Sequence, residues 1–186
     1  YVLCDCTGYR LDGTDTEPSM YVGIIVNRSL ADTTDSVTGL GDVHALVNAI
    51  GEMRRVAREA GFIAIKVDDI AEVNARFGFD AGDRVLAESA ACLMDCSRGK
   101  GRLFRSTGPM FVALFDELGP EAIDELADEI ERFLGSPVLI GSLEYQPPIR
   151  VATLHLDAVD RQPVSILNEL KALLGKAVQV PGTKLD

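Results

Sequence analysis

Apolar and polar positions along the chain change period at about residue 35. Before it, Tyr1-Val-Leu-Cys leads into Gly8-Tyr-Arg-Leu, and the polar stretch Asp12–Pro18 separates this from Ser19-Met-Tyr-Val-Gly-Ile-Ile-Val-Asn27. This predicts two strands joined by a loop, and a lone hairpin needs another layer to be stable. Arg28 to Thr34 reads as a short linker helix. Beyond it, Val43, Leu46, Val47, Ile50, Met53 and Ala57 form one stripe, predicting a helix over 43–60. Phe62–Asp68 reads as a buried strand and Ile70–Phe77 as a short helix closed by Gly78. The spacing of Val85, Leu86, Ser89, Cys92, Leu93 and Cys96 predicts a long helix over 81–96. A hairpin follows, Arg102–Ser106 and Met110–Phe115 around Thr107-Gly108-Pro109. Pro120–Leu134 is a helix with Pro at its start, Ile149–Leu156 a strand, and Val164–Val178 a last helix.

The order α-β-α-α-β-β-α-β-α predicts an α+β domain. Its core is a ferredoxin-like βαββαβ sheet with helices on one face, preceded by the N-terminal β-hairpin and linker. The expected division is 1–34 and 35–186.

Composition narrows the function classes. Hydrophobic residues make up 47% and charged residues 25% of the 186, as in ordinary globular domains. No apolar run approaches the ~20 residues that span a bilayer, so a cytoplasmic protein without direct membrane contact is expected. The net charge of −11 repels nucleic acid and anionic surfaces while leaving room for a local basic pocket. The cysteines, Cys4-Asp-Cys6 and Cys92/Cys96, have neither zinc nor redox spacing, and the second pair reads as buried thiols. Two histidines, His44 and His155, are too few for most zinc or non-haem iron sites.

Three segments carry the chemistry: Asp35-Ser-Val-Thr-Gly-Leu40, Asn74-Ala-Arg-Phe-Gly-Phe-Asp-Ala-Gly-Asp83 and Arg105-Ser-Thr-Gly-Pro-Met-Phe111. In order and spacing they resemble the GGDEF family, the diguanylate cyclases that join two GTP molecules into cyclic di-GMP, over roughly residues 35–182. The N-terminal hairpin resembles the last strands of a PAS sensor domain, and an unrelated capping hairpin reads almost as well.

The resemblance implies that Asn74 and Asp83 hydrogen-bond the guanine edge, which an amide and a carboxylate can do. On the residues alone, Asn74 reads equally as the cap of a turn and Asp83 as an N-cap. The resemblance also implies two metal-binding carboxylates, because phosphoryl transfer needs divalent ions on the triphosphate. Lys66 stands at the first of these positions and Pro109, followed by Met110, at the second. Of the glycine pair in that turn Gly108 remains, and Thr107 replaces the other. Further family lysines appear as Ala71 and Ala177, with Lys176 adjacent to the latter. The product-inhibition motif Arg-x-x-Asp is reduced to Arg98-Gly-Lys-Gly101, with Arg98 as the remnant. Asp68 and Asp69 lie close by, but the neighbouring ammonium of Lys66 disfavours a cation at Asp68.

The expected function is therefore a catalytically inactive GGDEF-like domain that binds GTP or another guanine nucleotide and regulates an adjacent sensor or phosphodiesterase domain. Lys66 would then meet phosphate directly, and no metal cofactor is expected. One alternative is a working cyclase, which would require magnesium and a facing homodimer. Another is a dimerisation or coupling scaffold with no nucleotide chemistry.

Overall fold

The computed structural model describes residues 4–11, 20–27, 33–56, 59–97, 99–134 and 136–183. It divides into two compact units, 1–33 and 34–186. In the first, β1 (Cys4–Leu11) and β2 (Met20–Asn27) pair antiparallel, Cys4 opposite Asn27 and Leu11 opposite Met20. The expected linker helix over 28–34 falls largely outside the described residues.

The second unit holds α1 (Val43–Val56), β3 (Ala60–Val67), α2 (Ile70–Phe77), α3 (Phe79–Ser97), β4 (Arg102–Arg105) and β5 (Met110–Asp116). After these come α4 (Pro120–Leu134), β6 (Val138–Ile140), β7 (Leu143–Tyr145), β8 (Ile149–Leu156) and α5 (Pro163–Lys176). Four strands form one antiparallel sheet in the order β4-β5-β3-β8. That is the arrangement of a βαββαβ core, and the α+β fold expected from the sequence is the one observed.

Helices cover both faces of the sheet rather than one. Ile63, Ile65, Val67, Phe111, Ala113 and Phe115 meet α2, α3 and α4 through Val73, Val85, Leu93, Ile123 and Ile130. Side chains of opposite parity, including Phe62, Ala64, Val112 and Leu114, meet α1 and α5 through Leu46, Ile50, Ile166 and Leu170. The reason is visible in β3: residues of both parities are apolar, and a strand without alternation is buried from two sides. The connecting helices of the core cover the first face, and the flanking α1 and α5 cover the second.

Two other differences are local. Among the described residues the first helix spans Val43–Val56, and it does not reach the expected residue 60, which already belongs to β3, two residues before that strand's expected start. The short hairpin β6–β7 was not foreseen, although it buries Tyr145 completely.

Candidate functional site at the carboxyl end of the central strand

β3 lies between β5 and β8, so its last residues meet the β4–β5 turn on one side and the start of β8 on the other. Lys66 is directly opposite Met110 on β5 and Arg150 on β8. At the end of the strand the amide of Val67 donates to the Pro109 carbonyl at 3.0 Å, and just past it that of Asp68 to the Pro148 carbonyl at 2.8 Å. These bonds carry the sheet to its very end and fix Asp68 in place.

Asp68 is the most heavily bonded side chain of the site. Lys66 Nζ lies 2.6 Å from its Oδ1, while Arg150 Nε and Gln179 Nε2 donate to its Oδ2 at 2.8 and 2.7 Å. The carboxylate is 6% exposed, against 43% for Lys66 and 30% for Arg150. Burial pushes the Asp68 carboxyl up, but the bonds from Lys66, Arg150 and Gln179 outweigh it and hold it below the ordinary carboxylate value. Asp69 follows with φ 61, a left-handed conformation uncommon for a residue with a Cβ, and the chain turns there into α2.

In the β4–β5 turn Gly108 adopts φ 59, a sufficient backbone reason for glycine there whatever it touches. Arg105 ties this turn to the segment before α1. Its Nε donates to the Gly108 carbonyl at 3.0 Å, and its Nη1 donates to Asp35 at 3.0 and 3.2 Å. Asp35 also accepts from the amide and hydroxyl of Thr38, at 2.9 and 2.7 Å. Burial raises its carboxyl, yet Thr38 and Arg105 bring it below the ordinary value. Asp42 then caps α1, accepting from the amides of His44 and Ala45 at 2.8 and 2.9 Å.

Asn74 lies inside α2 and Asp83 inside α3, so neither caps a helix. The Asn74 Oδ1 is buried and has no hydrogen-bond partner among the described residues. It lies against the backbone of Gly82, where an added Cβ would sit 2.0 Å away. Gly82 therefore lets α3 approach α2, and it sets exposed Asp83 next in sequence to the contact. A cavity of about 560 Å³ brings Asn74 together with Lys66, Asp68, Asp69, Glu72 and Pro109. Arg98 lies outside the described residues. Lys176 and Ala177 line a separate cavity with Asp124, Asp128 and Thr153, away from Lys66.

Asp68 offers no free oxygen to a divalent cation. Cations of this kind require free carboxylate oxygens, and both oxygens of Asp68 are taken by basic or amide donors. Among the described residues no three Asp, Glu, His or Cys side chains come together as a metal site. The resemblance in the sequence points to Lys66, Asn74 and Pro109 of the turn, and the structure brings these three to one cavity. Arg150, Gln179 and the Asp35–Arg105 pair were not foreseen, since contacts between remote segments leave no local pattern.

The sequence model of one family, "Diguanylate cyclase, GGDEF domain", matches residues 32–167. The cyclic di-GMP phosphodiesterase PdeR of Escherichia coli is 29% identical over 119 residues, 63% of this chain and 18% of PdeR. The chain thus spans less than a third of the curated relatives it matches. Among solved structures, the diguanylate cyclase SiaD of Pseudomonas aeruginosa, in complex with its activator SiaC, superposes with TM-score 0.72 at 20% identity, covering 78% of this chain and 58% of that one. The FimX GGDEF domain of the same organism gives TM-score 0.72 at 16% identity, covering 79% and 94%.

Proposed function

This chain belongs to the diguanylate cyclase GGDEF family, and from that premise we propose that its second unit is a regulatory module of cyclic di-GMP signalling that binds a guanine nucleotide without cyclising it. The observation that carries this reading is the Lys66–Asp68–Arg150 cluster. At the strand end where a cyclase needs free carboxylates, this chain places an ammonium and a carboxylate already engaged by three donors. Fixed positive charge there suits a phosphate and opposes a divalent ion.

Recognition of the base falls to Asn74 and Asp83. An unpartnered buried amide oxygen is costly, and a ligand that offers a donor removes the cost. Lys66 shares the cavity with Asn74 and would meet the first phosphate. The module's readout goes to a neighbouring domain. The match to one segment of a much longer phosphodiesterase supports such an arrangement, and SiaD with its activator exemplifies a family member controlled by a protein partner. Residues 1–34 then read as the end of a PAS-type sensor feeding the module, and a cytoplasmic location follows from the use of GTP.

The test is calorimetric titration of the chain with GTP, with and without magnesium. Binding is expected in both conditions, with no cyclic di-GMP formed. Asn74→Ala should cost about 1–3 kcal/mol, the range for a lost buried hydrogen bond, and Lys66→Asp should weaken metal-free binding. Affinity that appears only with magnesium, together with cyclic di-GMP in the products, would restore the working cyclase.

A further inference from the structure

The sheet ends on one side at β8, which pairs with β3 along its inner edge. Its outer edge is occupied only at the start. There Ile149 and Val180, which lies beyond α5, form an antiparallel bridge, the Ile149 amide donating at 3.2 Å and the Val180 amide at 2.8 Å. Backbone groups of successive strand residues point to opposite edges, so this reciprocal pair fixes the rest of the strand. Arg150, Ala152 and Leu154 turn their amides and carbonyls towards β3, and Val151, Thr153 and His155 turn theirs outward. Among the described residues no backbone group pairs with those three. Such an edge is a template for a further strand, and Val180 already uses it at Ile149.

Two helices make a groove of this edge. Val151, Ala152 and Thr153 line a cavity of about 410 Å³ between α4 and α5. The two walls differ in chemistry. From α4 come Asp124, Asp128 and Glu131, whereas α5 presents Leu173, Ala177 and a single cation, Lys176. Thr153 donates its hydroxyl to Asp124 at 2.9 Å, while Asp128 and Glu131 have no ion pair among the described residues. Side chains of an added strand would alternate between these walls, one parity meeting carboxylates and the other meeting Leu173 and Ala177.

We infer that the outer edge of β8 is a strand-addition site for an extended segment of a partner protein in which basic and apolar residues alternate. Backbone bonds to Val151, Thr153 and His155 supply the affinity, and the carboxylates of α4 select the partner. A second copy of this chain is a poor occupant. Antiparallel pairing of two β8 edges places a two-fold axis normal to the sheet, which sets α4 beside α4 and carboxylate against carboxylate. The groove contains neither Lys66 nor Asn74, so the inference does not depend on nucleotide binding.

The probe is a fluorescein-labelled, acetylated peptide of alternating lysine and valine, titrated into the full chain and followed by fluorescence anisotropy. Saturable binding is expected, weakened by sodium chloride and absent for the matching glutamate–valine peptide. Asp128→Lys, at an exposed helix position, should weaken it severalfold. Amide hydrogen exchange read by NMR separates strand addition from adsorption by charge. With peptide bound, the amides of Val151, Thr153 and His155 should exchange more slowly, while those of Ala152 and Leu154, already directed at β3, should not change. Failure of the lysine peptide to bind, equal binding of the glutamate peptide, or binding that leaves the outward amides unprotected overturns the inference. So does protection of those amides in the free chain that grows with its concentration, because a second copy would then be the occupant.

Discussion

Arg105 shows how much a single side chain can organise here. Its guanidinium joins Asp35 and the Gly108 carbonyl, so two of the three motif segments meet at one residue. Both partners are mostly buried, 15% exposed for Arg105 and 23% for Asp35, so this pair is shielded from the screening that weakens surface ion pairs. Arg105→Ala should cost about 1–3 kcal/mol by urea unfolding, since it strands the Asp35 carboxylate. Asp35→Ala combined with it should cost clearly less than the two single losses added. Strict additivity would mean that the pair contributes nothing as a pair. The sequence made both segments visible as motifs but could not join them: a contact between residues 70 apart has no periodicity to read. Lys66 and Asn74 were legible for the opposite reason, because they lie on one continuous strand–helix segment.

At the scale of elements, the approach of α2 to α3 is set by Gly82. Glycine inside a helix ordinarily costs up to about 1 kcal/mol relative to alanine. Here a Cβ would meet the Asn74 carbonyl oxygen at 2.0 Å, and that oxygen is the end of a side chain free to swing aside. Gly82→Ala should therefore leave thermal stability within about 1 kcal/mol of the original, as helix propensity offsets the contact, while GTP affinity falls because Asn74 is displaced. A variant that keeps full affinity would show that the amide's position is irrelevant to binding. Most elements were readable from period alone, and Pro120–Leu134 and Ile149–Leu156 have the expected ends. The hairpin β6–β7 escaped because three-residue strands are too short for alternation to register. The second covered face has its trace in the continuous apolar run of β3, but such a run does not say which helices close each side.

For the whole molecule, two carboxylates with lowered pKa values contribute to the response to acid. Asp35 and Asp68 are both held below the ordinary value, so each stabilises the fold at neutral pH. That contribution is present above the unfolded-state value, near pH 4, and disappears as pH falls through the lower folded-state value. Asp68→Asn should accordingly flatten the loss of stability below about pH 4, measured as the urea midpoint against pH. A pH profile unchanged by the substitution would mean that Asp68 has no differential role in folding.

The chain divides into 1–33 and 34–186, and among the described residues both buried clusters lie in the second unit, Leu40 being their earliest fully buried member. Both faces of its sheet are closed by its own helices, and its site draws on no described residue before Asp35. A chain beginning at Thr33 should therefore unfold cooperatively in urea. Its midpoint should match the main transition of the 186-residue chain, and its affinity for GTP should be the same. A truncated chain that lacks a cooperative transition would show that residues 1–32 complete the fold, and their role as a separate input unit would have to be abandoned.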